Sequence, residues 1–175
     1  MSLMSIAVPA RQRAGAFFAA LRAFALTAAL LFSAGVQADP VRAEQHLQVV
    51  RSQRAVLDTH MLYVNMYLDA GNVQAAQVSM QMAFAQTMKI VASMSNLSYE
   101  LRQSRDAGQY TNLQELERAI QFCDSARQRM QLIKTYLLNL QLEQPPSEIT
   151  RTLLRMKFQE YEMNMRNLEL AMSQA

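Results

Sequence analysis

The stretch TNLQELERAIQFCDSARQRMQLIKTYLLNLQLEQPPS, residues 111–147, decides how this chain folds. Within it Leu113, Leu116, Ile120, Cys123, Ala126, Met130, Ile133, Leu137 and Leu140 recur at intervals of three and four. That spacing puts them on one face of an α-helix and is incompatible with the period-two alternation of a strand. The stretch also carries its own start and stop. Thr111-Asn112-Leu113-Gln114 reads as a capping box, in which a side chain three residues in reaches back to the cap amide. Pro145 and Pro146 bar the helical region at Gln144 and Pro145. Ser147 then caps a new helix, with Glu148 well placed in its first turn.

Working outward, the same pattern repeats. Leu47, Val50, Leu57, Met61, Val64 and Leu68 form an apolar seam with Arg54 in its one vacant slot. Val73, Ala76, Met80, Ala83, Phe84, Val91, Met94 and Leu101 line a second, and Leu154, Phe158, Tyr161, Met165, Leu168 and Met172 a fourth. Gly71 and Gly108 suit the left-handed position past a helix end, and Asn72 suits an N-cap. Helices are expected at about 41–69, 73–106, 112–143 and 148–173. Short loops between such long helices force antiparallel neighbours, so the expected fold is all-α, an up-down-up-down four-helix bundle. The 3-4 spacing favours coiled-coil-like packing. Ser93-Met94-Ser95-Asn96-Leu97-Ser98 is the place where side chains could compete for backbone bonds and bend the second helix.

Residues 1–38 read as a secretory signal peptide preceding that bundle. Arg11, Arg13 and Arg22 come before the uncharged run 23–32, and Val36 and Ala38 make an A-x-A-like cleavage site. The uncharged run 23–38 is shorter than the roughly 20 apolar residues a membrane span needs. The expected mature chain is a single domain, residues 39–175, in the periplasm. The alternative is an inner-membrane anchor by an uncleaved signal. The whole chain has 17 Lys+Arg, 14 Asp+Glu and a net charge of +3. Three of the arginines lie in the leader and every acid lies beyond it, so the mature part is neutral. No basic patch for nucleic acid exists, and no membrane insertion of the mature chain is expected. Cys123 is the only cysteine, which forbids an intramolecular disulfide.

No catalytic or metal motif is present, so catalytic, cofactor and metal residues are all read as none, and the chain as not an enzyme. Of 13 methionines in the chain, Met80/Met82 and Met163/Met165 are two apart and diverge, while Met156/Met163 and Met165/Met172 are seven apart, as packing positions are. His46 and His60, with Gln53 and Tyr67, form a seven-residue ladder. The histidines stand about 21 Å apart along a helix and cannot share one metal. Cys123 reads as a buried apolar residue, with an inter-chain disulfide as its alternative and Arg127 one turn on. Arg54 either snorkels outward or pairs across the core with a carboxylate such as Asp124. Glu115/Glu117 and Glu160/Glu162 diverge on their helices, and Asn96-Leu97-Ser98 is a sequon inside a helix. Met66, Met82 and Met88 fall off the main seams. These features point to an exported, non-enzymatic helical protein that binds another protein or itself, as an adaptor, assembly factor or chaperone-like component. The alternative is a haem- or copper-binding bundle using His46 or His60 with a methionine of another helix.

Overall fold

The structure is a computed structural model that describes residues 40–143 and 145–175. The signal-peptide reading of 1–38 and the restriction on Gln144 lie outside the described residues. Four helices follow in order: α1 Pro40–Asp69, α2 Val73–Asp106, α3 Leu113–Leu142 and α4 Glu148–Gln174. Among the described residues there is no strand, and no helix is long and apolar enough to cross a membrane. The fold class is therefore all-α.

The turns show why the helices end where they do. Gly71 and Gly108 take φ of 71° and 65°, a backbone region that favours glycine. Past each glycine an amide reaches back over the helix end, from Asn72 to the Tyr67 carbonyl and from Gln109 to the Ser104 carbonyl. Asn72 caps α2 by accepting from the Ala75 amide. Asn112, and not Thr111, caps α3, accepting from the Glu115 amide. The Thr111 hydroxyl instead donates to the Ala175 carbonyl, and the Asn112 amide does the same, so this loop holds the end of α4. That long-range use takes Thr111 out of the expected capping box. Ser147 caps α4 as expected, accepting from the Ile149 amide. Glu143, already extended at φ −76° and ψ 135°, bridges the α3–α4 turn by accepting from the Ser147 amide and the Thr150 hydroxyl.

One hydrophobic core gathers side chains from all four helices, among them Leu47 and Leu57, Met80 and Met94, Met130 and Ile133, and Tyr161 and Leu168. α2 runs unbroken through Ser93 to Ser98, so the expected bend does not break it. The hydroxyls there find partners, Ser95 on the Val91 carbonyl and Ser98 on Asp124. Leu113 and Val73, assigned to apolar seams by spacing, are exposed as the first residues of their helices. α1 contacts α2, α2 contacts α3, and α3 contacts α4, but no Cα of α1 lies within 8 Å of a Cα of α4.

Candidate functional site

The wide α1–α4 seam is spanned by long side chains. Arg51 reaches Glu169 at 2.8 Å, Arg54 reaches Glu162 at 2.6 Å, and Asp69 meets Arg151 at 2.7 Å. Arg54 therefore neither snorkels freely nor pairs with Asp124. It also holds Asp58 at 2.7 Å, and its guanidinium lies 4.7 Å from the Phe158 ring centre and 5.5 Å from that of Tyr161. Asp124 is taken by Ser98, Arg102 and Arg127 on the far side of the molecule. The helices stand apart here because an arginine and two rings fill a slot that elsewhere holds an aliphatic side chain. Burial raises the Asp58 carboxyl pKa, with Arg54 opposing, and burial likewise pushes the Tyr161 phenol up. Beneath the seam a small cavity of about 100 Å³ is lined by Met61, Val64, Leu140, Leu154 and Phe158. An open groove of about 560 Å³ lies along the same seam, lined by Arg54, Arg155, Phe158, Glu162, Met163 and Arg166.

The α1–α2 seam is polar, which the apolar spacing did not reveal. Ser79, Gln86 and Ser93 of α2 are buried seven residues apart. The half-buried His46, Gln53, His60 and Tyr67 run at the same interval along α1. Gln86 Nε2 donates to the Gln53 carbonyl at 2.9 Å and ties the two rows together. The histidines lie on the half-buried α1 row to either side of this contact, and neither lines the cavity beneath the α1–α4 seam. The signal was present in the sequence as two sevenfold ladders, but only one of them, on α1, was singled out.

Outside this seam lies the feature that sets α1 and α2 apart. Residues 73–88 carry no charge, and from 73 to 99 the single charged residue is Lys89. A soluble helix ordinarily shows charge on its outer face. Here that face exposes Val78, Met82, Met88 and Tyr99, with Met82 at 52% and Met88 at 47%. Across the seam α1 exposes Val49, Val56, Tyr63 and Met66, the last at 48%. Tyr63 stacks on Tyr67 with ring centres 6.2 Å apart, and the pair forms one wall of a groove of roughly 350 Å³ whose other wall is Ala75, Val78 and Met82. The off-seam methionines thus lie on an exposed, uncharged surface.

The remaining sequence candidates fall elsewhere. Met80, Met94, Met130 and Met165 are buried. Met156 and Met163 are exposed, contrary to the packing reading of their spacing, because that sevenfold row faces away from the core. Cys123 is fully buried, its Sγ 3.5 Å from the Met94 carbonyl, and burial pushes the thiol up to about 12. An inter-chain disulfide is therefore closed to the folded chain. Glu115 pairs with Arg118 and Glu117 with Arg105, while Glu160 pairs with Arg129 and Lys157 and Glu162 with Arg54, so the two carboxylate pairs do diverge. In the sequon Asn96 is exposed, but Leu97 and Ser98 are buried within α2. No protein-family model matches this chain, and no curated protein or solved structure matches it significantly.

Proposed function

We propose that this protein is an exported, periplasmic, non-enzymatic helical bundle that binds another protein, as an adaptor, assembly factor or chaperone-like component. In this reading residues 1–38 are a cleaved leader and residues 39–175 an antiparallel up-down-up-down bundle. Cross-seam pairs with opposed numbering support that topology: 51 with 169, 54 with 162 and 69 with 151 on one side, 98 with 124 and 105 with 117 on another. The carrying observation is the groove of Tyr63, Tyr67, Val78 and Met82, with exposed Met66 also on α1, beside an α2 stretch without charge from 73 to 88. Methionine is flexible and polarizable, so Met82 in this groove can repack around a partner side chain. Two parallel ridges with a trough between them are the shape into which an amphipathic partner helix fits.

Photo-crosslinking from position 82 of the full chain, expressed in a cell that exports it, tests this reading. The envelope form is expected to begin at Asp39 and to give a discrete adduct with a protein other than itself. Met66→Gln should reduce that adduct at least several-fold while helicity by circular dichroism stays unchanged, since Gln and Met have similar helix propensity. Absence of any hetero-adduct, or an adduct indifferent to Met66→Gln, overturns the proposal.

A further inference from the structure

We infer that the middle of the α2 outer face binds a second copy of this chain, as an antiparallel helix pair about a twofold axis passing near Met88. The inference rests on the reading of the α1–α2 exterior as a binding surface, and because the second copy covers Val78 and Tyr63 of the groove, self-pairing and partner capture compete there. Val78, Ala85, Ala92 and Tyr99 lie seven apart on one exposed line of α2. Read in either direction, this line runs large, small, small, large about a midpoint at Met88 and Lys89. A twofold contact needs that property, because residue i must meet j while j meets i. Laid antiparallel on itself, the line sets Ala85 against the partner's Ala92 and Val78 against the partner's Tyr99. The two alanine contacts allow the helix axes to approach closely, and the bulky ends close over them.

Size agrees with this occupant. The 22 residues from 78 to 99 span about 33 Å along the helix. The exposed α1 row of Val49, Val56 and Tyr63 widens this face to about 20 Å along its half near residues 76–90, where the Gln53–Gln86 contact sets the register. That gives about 550 Å² per copy, or ~1,100 Å² for the pair, above the roughly 1,000 Å² that a specific interface needs. Lys89 is the one charge in the strip, and no carboxylate of the strip could pair with it. Its aliphatic stem can lie along the apolar face while the ammonium reaches water at the edge.

Sedimentation of the protein purified after expression of the full chain tests the inference. The wild type is expected to dimerise at micromolar concentration. Ala92→Glu buries two carboxylates per dimer and should raise the dissociation constant roughly 100-fold or more. Circular dichroism should be unchanged, because residue 92 is exposed in the single chain. The double variant Ala85→Lys/Ala92→Glu places opposite charges face to face across the axis and should recover most of the lost association. A monomeric wild type, a dimer indifferent to Ala92→Glu, or no recovery in the double variant overturns the inference. A monomeric wild type that still forms the hetero-adduct from position 82 overturns the self-pairing alone. A dimer without any hetero-adduct supports the self-pairing and overturns the functional proposal instead.

Discussion

At the scale of single residues, Arg54 pairs across to another helix, as one of its two expected roles requires, but with Glu162 in place of Asp124. A charge in a heptad seam was legible; its partner on α4 was not, because Glu162 sits 108 residues away and depends on the helix register. Its guanidinium pairs with Asp58 and Glu162 and lies over Phe158 and Tyr161. Arg54→Ala is expected to cost about 1–3 kcal/mol, mostly through lost ring contact and packing, since both carboxylates stay within reach of water. Arg54→Lys should fall between, and urea unfolding reads both; a cost below that of an ordinary surface change would refute the clamp. Two acids give pH effects of opposite sign. The hydrogen bond from Lys157 holds the Glu160 carboxyl below its ordinary value, so its stabilisation is present above that value and is lost as pH falls through the lower folded value. Asp58 is raised by burial, so its contribution is largest when protonated and fades as pH rises through the raised value. Glu160→Gln should therefore lower the melting temperature at pH 7 and leave it unchanged near pH 2. Asp58→Asn should do no harm at pH 7. A loss of equal size at both pH values for Glu160→Gln would contradict the assignment.

At the scale of helices, the local punctuation was readable and the cross-helix register was not. Gly71, Gly108, Asn72 and Ser147 act through their own backbone and nearest amides, so a single chain segment contains the information. Gly71 shows this cleanly: a Cβ added there would meet nothing within 4 Å, so the positive φ alone excludes a side chain. Gly71→Ala is expected to destabilise by about 1 kcal/mol and Gly71→Asn by less, because Asn tolerates that conformation. Equal denaturation midpoints for glycine and alanine would mean the turn relaxes. Thr111, by contrast, was misread because its hydroxyl is spent on Ala175, 64 residues later. The polar row Ser79, Gln86 and Ser93 was missed for a related reason. Its residues are small or amphipathic, and their burial depends on α1 lying over them. The exposed apolar face is half legible: Met66, Met82 and Met88 fall off the seams by spacing, but the uncharged stretch of α2 joins them only once α1 and α2 are side by side.

At the scale of the whole molecule, the α1–α4 seam is the weak one, and that predicts where the structure opens. On the α2 side the neighbours of α1 include hydroxyls and an amide, and the buried Gln53 Oε1 has no hydrogen-bond partner. On the α4 side the backbones stay more than 8 Å apart and the contact is carried by Arg51, Arg54 and Asp69 with their ion pairs. Arg42 in the first turn and Asp69 in the last also oppose the helix dipole. The fully buried side chains of α1 are Ala43, Leu47, Val50, Leu57 and Val64, whereas α3 contributes a longer and bulkier set that includes Leu116, Met130, Ile133 and Leu137. Apolar burial supplies most of the stability of a packed helix, at ~25 cal/mol per Å² removed from water, so α1 is held less firmly than its neighbours. Native-state hydrogen exchange should show its slowest amides, around Leu57, opening at lower free energy than those around Ile133 of α3. Raising salt to about 1 M, where the screening length falls to ~3 Å, should widen the gap by weakening the partly exposed α1–α4 pairs and sparing the apolar α3 contacts. Equal protection in α1 and α3 would show that the core unfolds as one unit. It would also mean that the arginine-bridged seam is as firm as the three in which the backbones come close.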